Sequence, residues 1–71
     1  MTDDKRMEWA VTTHLAKDGA QQPDAALSAF EEHGGRRYVV LRNVTGLLGV
    51  YRIHPDGAMV LLRRWPKGIT A

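Results

Sequence analysis

Three apolar segments separated by very short connections fill most of the second half of the chain and leave few ways for it to fold. They span residues 38–44, 47–53 and 58–65 and are rich in valine, leucine and aromatic residues, which favour β-strands. Thr45-Gly46 separates the first two, and the four residues 54–57, His-Pro-Asp-Gly, separate the last two. Connections this short permit only antiparallel hairpins. The pattern therefore predicts an antiparallel sheet that ends before Pro66, because proline cannot donate to a strand ladder.

A short helix over residues 23–33 is predicted to pack on this sheet. Pro23 suits the first helical turn, and Asp24 complements the positive end of the helix dipole. Gly34-Gly35 follows at once, and glycine is the commonest residue to stop a helix. Apolar side chains recur at helical spacing at Ala26, Leu27 and Phe30.

Residues 7–16 fit two different structures. Met7, Trp9, Val11, Thr13 and Leu15 alternate with more polar residues as in a strand, while Met7, Val11 and Leu15 also share one face of a helix. The tryptophan and the β-branched residues favour the strand. The predicted fold class is α+β, with a four-stranded antiparallel sheet in the order β-α-β-β-β and one helix on a face; the alternative order is α-α-β-β-β. One domain, residues 1–71, is expected, with residues 1–5 as a frayed tail.

The predicted sheet is apolar on both faces, which a chain of 71 residues can hardly cover alone. Residues 38–41, Tyr-Val-Val-Leu, are apolar at every position. With Thr45 and Gly46 at the centre of the turn, Val40 would oppose Tyr51, and both faces would carry large apolar side chains. One short helix covers one face, so the second cover is predicted to be another molecule. The alternative is that the amino-terminal segment covers it as a helix.

The absence of cysteine excludes disulfides and thiolate metal sites as sources of stability. No apolar run approaches the ~20 residues that cross a membrane, and the charged first residues lack the apolar stretch of a signal peptide. We therefore expect a cytoplasmic protein without membrane contact. A helix-then-hairpin order closed by Arg-Trp-Pro-Lys at residues 64–67 resembles short bacterial proteins in a general way and assigns no role to any residue.

These observations favour a small non-catalytic protein-interaction module. It would form a homodimer or bind a larger protein through an uncovered sheet face or edge, since a strand edge can accept a further strand. Arginine, tryptophan, tyrosine and methionine are enriched in interfaces. The predicted contact residues are Tyr51, Met59, Leu61, Arg63, Arg64 and Trp65.

Nucleic-acid binding by the sheet of residues 36–67 is the alternative function. Residues 1–33 carry three Lys or Arg against seven Asp or Glu, whereas residues 34–71 carry seven against one. A basic half that contains aromatic rings has the cations that bind phosphates and the rings that stack on bases. The predicted phosphate contacts are Arg36, Arg37, Arg42, Arg52, Arg63 and Lys67.

Catalysis has little support in the sequence. His14, His33 and His54 are the only side chains that ordinarily titrate near neutral pH, and they are isolated from one another. No serine or acidic pair stands at a spacing that marks a nucleophile or an acid and base. The chain is therefore predicted to have no catalytic residue, metal ligand, cofactor or small-molecule substrate.

Overall fold

The computed structural model describes residues 2–17, 19 and 21–69. It contains one helix, α1 (Asp3–Leu15), and four strands, β1 (Ala29–His33), β2 (Arg36–Asn43), β3 (Gly46–Ile53) and β4 (Met59–Leu61). The strands form one antiparallel sheet in the order β1-β2-β3-β4. The predicted fold class, α+β with one helix and a four-stranded antiparallel sheet, is confirmed. No helix among the described residues combines the length and the apolar character needed to cross a membrane.

The helix comes before the first strand in the chain, whereas the preferred order, β-α-β-β-β, placed the strand first. Residues 7–15 belong to α1, so the strand predicted for residues 7–16 is wrong, and so is the frayed tail at residues 3–5. The Thr2 side chain caps the helix by accepting the Lys5 backbone N–H at 3.3 Å, and Asp3 and Asp4 lie in the first turn, where carboxylates are favourable. The capping and the burial of Ala10 against the sheet outweigh the β propensity of the segment.

Residues 23–33 do not form the predicted helix. A single turn follows Pro23, in which the Asp24 carbonyl accepts the backbone N–H groups of Leu27 and Ser28 at 3.0 and 2.9 Å. The chain then enters β1, which pairs with β2 from Ala29 opposite Val40 to His33 opposite Arg36. Gly34 and Gly35 have φ values of 60° and 76°, the positive angles that a type I′ hairpin turn requires at both central positions. The two glycines therefore close a hairpin and do not end a helix.

The register between β2 and β3 also differs from the prediction by one residue. Asn43 opposes Gly46, so Val44 and Thr45 form the turn, and Val40 opposes Val50 where Tyr51 was expected. Leu48 forms a β-bulge, because Leu41 pairs with Gly49 and Arg42 pairs with Leu47, which leaves Leu48 without a partner on β2. A shift of one residue transfers every side chain to the opposite face, so the predicted composition of each face was wrong.

Both faces of the sheet are covered by the chain itself. The helix face buries Val39, Leu41, Tyr51 and Ile53 beneath α1. The opposite face, here called the tail face, buries Tyr38, Val40 and Val50 beneath residues 62–69. β4 ends at Leu61, and the strand predicted to reach residue 65 instead leaves the sheet after the Leu62 N–H donates to the Val50 carbonyl at 2.9 Å. The expectation that one face needs a second molecule is therefore wrong.

Candidate functional site

The residues predicted to contact a protein partner differ in their exposure. Tyr51 is 1% exposed and forms part of the core, so its ring is closed to a partner. Met59 is half-buried, and Leu61 is 43% exposed. Arg63, Arg64 and Trp65 are exposed in the segment that follows β4. The accessible apolar side chains are thus Leu61 and Trp65, and Leu61 lies on the outer strand of the sheet.

The sequence analysis missed two exposed apolar residues, one on β4 and one on α1. Val60 is 46% exposed on β4, and Trp9 on α1 is 40% exposed. The Trp9 ring packs edge-on against Tyr51, with 5.7 Å between ring centroids and 81° between ring planes. Tyr51 is also the register partner of Leu61, so Trp9 and Leu61 both flank the same core ring. We call Met59, Val60 and Leu61 the β4 edge.

The two outer strands of the sheet have different compositions. β1 ends in Glu31, Glu32 and His33, and charged side chains discourage the addition of a further strand. β4 is Met-Val-Leu, without charge or proline. An apolar edge with free backbone groups is the usual place for strand addition. Of the two outer strands, β4 is therefore the one without charged side chains.

The six cations predicted to bind nucleic acid are distributed over three places. Arg42 forms an ion pair with Glu31 at 2.9 Å, and Arg63 and Lys67 lie exposed after β4. The other three, Arg36, Arg37 and Arg52, meet at one end of the sheet. The rings of Tyr38 and Tyr51 are buried, so neither can stack on a base.

The three arginines at the sheet end line a cavity of about 300 Å³, which also receives Arg6 from α1. We call this cavity the arginine pocket. The hairpin turn at Gly35 and the turn from His54 to Gly57 form its walls. The second turn closes through the Gly57 N–H, which donates to the His54 carbonyl at 2.9 Å. Arg6 was missed by the sequence analysis because it is distant along the chain from the other three arginines, and only the packing of α1 brings it to them.

Asp3 is the carboxylate that pairs with the arginines of this pocket. Its Oδ1 accepts from Arg6 at 3.0 Å and its Oδ2 from Arg37 at 3.2 Å. Arg37 also lies over the Phe30 ring, with its guanidinium carbon 5.5 Å from the centroid. In the described part of the chain, neither Arg36 nor Arg52 forms an ion pair. The Nε atoms of Arg6 and Arg52 are buried without a hydrogen-bond partner.

A second polar cluster lies on the tail face and is internally satisfied. Glu31 accepts from Arg42 at 2.9 Å and from His33 Nε2 at 3.0 Å. The hydrogen bond from His33 and the charge and hydrogen bond of Arg42 hold the pKa of Glu31 below its usual value, against the opposing effect of burial. This cluster is an ion-pair network that joins β1 to β2.

The histidines are dispersed, and the residues that the structure describes include no group of three His, Asp or Glu side chains placed to hold a metal ion. His14 is buried and its Nε2 lies 3.0 Å from the Gln21 carbonyl, which can only accept, so Nε2 is the protonated nitrogen. His33 is engaged with Glu31. Comparisons with protein-family models, curated proteins and solved structures found no significant match.

Proposed function

We propose that the protein is a non-catalytic interaction module that self-associates through β4. The observation that carries this proposal is the exposure of Val60 and Leu61, 46% and 43%, on an outer strand without charge or proline. Pairing of β4 with a second copy would bury these side chains and would satisfy the backbone groups of the outer edge.

The sequence of β4 is compatible with its own copy. In an antiparallel pair related by a two-fold axis at Val60, Val60 meets Val60 of the second copy and Met59 meets Leu61 of the second copy. Every cross-strand pair is then apolar, and apolar pairs stabilise adjacent strands. No like charges oppose each other along the strand. The resulting assembly would be one continuous sheet across two copies.

Trp9 supports the same arrangement from the helix side. Its ring is 40% exposed on the helix face, where it packs against Tyr51, the register partner of Leu61. Tryptophan is among the residues that contribute most to interface affinity. The dimer would use strand pairing for register, and Trp9 is the exposed apolar side chain of the helix on the same face as Leu61.

Nucleic-acid binding has less support as the function of the whole sheet. The rings of Tyr38 and Tyr51 are buried, and Arg42 is held by Glu31. A cytoplasmic location remains part of our proposal, and cell fractionation with tagged protein would test it.

Sedimentation velocity over a range of micromolar concentrations tests the self-association. Val60→Lys places a charge on the β4 edge and should give the monomer at concentrations where the unmodified chain is a dimer. Ala29→Lys is the matched control, since it adds the same charge to the exposed first residue of β1 at the other edge, and it should leave the dimer intact. A monomer at every concentration for the unmodified chain, or equal dissociation by both variants, rejects the proposal.

A further inference from the structure

The arginine pocket brings together cations from three separate elements at one end of the sheet. Arg6 comes from α1, Arg36 and Arg37 begin β2, and Arg52 precedes the end of β3. Strand alternation places Arg37 on the helix face and Arg36 and Arg52 on the tail face. The guanidinium groups therefore surround the sheet end from both sides.

The positive charge in this pocket is only partly balanced by the residues that the structure describes. Four guanidinium groups line the cavity, and no carboxylate is among the residues described as lining it. Asp3, at its margin, pairs with Arg6 and Arg37. Glu32 opposes Arg37 in the register but forms no ion pair with it among the described contacts, and Asp56 accepts the Ala58 N–H at 3.0 Å. Three positive charges remain in excess over Asp3.

Unused hydrogen-bond donors accompany this charge. The Nε–H groups of Arg6 and Arg52 are buried without a partner, although buried donors are nearly always satisfied in proteins. Arginine cannot lose its proton to relieve the repulsion, because the guanidinium group stays protonated in proteins. These two atoms lie beneath the protein surface, so what a bound anion would do at the cavity is offset the mutual repulsion of the guanidinium groups.

We infer that the arginine pocket binds a compact, multiply charged oxyanion, namely the phosphate or pyrophosphate group of a small molecule. Guanidinium groups bind such oxygens through two parallel hydrogen bonds. The volume of about 300 Å³ lies at the lower end of the range for ligand sites, which fits a small phosphorylated compound. This inference does not depend on self-association through β4.

Isothermal titration with inorganic pyrophosphate and inorganic phosphate at constant ionic strength tests the inference, with chloride as the competing anion. Saturable binding at one site per chain is expected, and pyrophosphate should bind more tightly than phosphate because it carries more charge. Amide resonances of Gly35 and Gly57, which line the pocket, should shift on addition of pyrophosphate. Absence of saturable binding for both anions overturns the inference.

Matched arginine variants distinguish anion binding in the arginine pocket from nonspecific electrostatic attraction to the basic residues of the protein. Arg36→Gln removes an exposed pocket arginine without an ion pair and should weaken pyrophosphate binding at least tenfold. Arg52→Gln should do the same if its thermal unfolding shows that it still folds. Arg64→Gln removes an equal charge from the exposed segment after β4 and should leave binding unchanged. Equal weakening by Arg36→Gln and Arg64→Gln overturns the inference.

A nucleic acid is the other source of phosphate groups, and the same variants distinguish it. The small-anion proposal is overturned if a mixed-sequence oligonucleotide binds more tightly than pyrophosphate and if Arg64→Gln reduces its affinity as much as Arg36→Gln does. That result would show a contact with an extended nucleic-acid backbone. Oligonucleotide binding that is weaker than that of pyrophosphate and is displaced by it supports the pocket.

Discussion

Gly68 lies directly against the imidazole ring of His33. A β carbon at Gly68 would come within 2.5 Å of His33 Nδ1 and 2.7 Å of Cε1, closer than non-bonded atoms approach in folded proteins. His33 belongs to β1 at one edge of the sheet, whereas the segment that contains Gly68 begins after β4 at the other edge. The contact therefore shows that residues 62–69 cross the whole tail face.

Gly68→Ala should destabilise the protein by about 1–3 kcal/mol, because the added methyl group must displace either His33 or the crossing segment. Urea unfolding followed by circular dichroism measures the change. Lys67→Ala is the control, since it shortens an exposed neighbour in the same segment. If Gly68→Ala is as stable as the unmodified chain, residues 62–69 do not pack closely against His33.

The contribution of Glu31 to stability should depend on pH. Its pKa is lowered in the folded chain, first by the hydrogen bond from His33 and then by Arg42. A lowered pKa means that the stabilisation is complete above the unfolded-state pKa and disappears as pH falls through the folded-state value. Glu31→Gln should therefore lower the free energy of unfolding by about 1–2 kcal/mol at pH 7 and by much less at pH 3.

Urea titrations at the two pH values measure this difference, and Glu32→Gln is the comparison. Glu32 is the exposed neighbour of Glu31 on the same strand and makes no ion pair within the described residues. Its variant should change stability little at either pH. A loss for Glu31→Gln that is the same at pH 7 and pH 3 would contradict the role assigned to its charge.

The central strands could be predicted from sequence because their signals are local. Residues 38–44 and 47–53 combine β propensity with a short connection, and β2 and β3 occupy nearly the same residues. The Gly34-Gly35 pair is different, since it suits both a helix end and a type I′ turn. Pairing of residues 29–33 with β2 decides between them, and that partner is supplied only by the folded sheet.

The cover of the tail face and the arginine pocket could not be read from the sequence for a similar reason. Ile69 is a single apolar residue after a polar segment, yet it is 3% exposed against Tyr38, Val40 and Val50. Arg6 reaches Arg36 and Arg52 only because α1 packs across the sheet. Both features depend on contacts between distant parts of the chain, which periodicity and propensity do not encode.

The hydroxyl group of Tyr51 should reduce stability. It is buried without a hydrogen-bond partner, and burial raises the pKa of this tyrosine. Tyr51→Phe keeps the ring that packs against Trp9 and removes the unsatisfied group, so the free energy of unfolding should rise by about 1 kcal/mol. Tyr38→Phe is the control, because the Tyr38 hydroxyl is not among the buried unpartnered atoms. A loss of stability in Tyr51→Phe would indicate that the hydroxyl is hydrogen-bonded in solution.

Ile69 should contribute more to stability than any other residue of the segment that crosses the tail face. It is 3% exposed and packs on Tyr38, Val40 and Val50, so Ile69→Ala leaves a cavity above the sheet. The expected loss is about 2–4 kcal/mol by urea unfolding, and the newly exposed apolar face should bind a hydrophobic dye. Val44→Ala trims a side chain that is 88% exposed in the β2–β3 turn and should change stability by less than about 0.5 kcal/mol. If Ile69→Ala is as stable as Val44→Ala, the tail face is not closed by this segment in solution and is available to a second molecule.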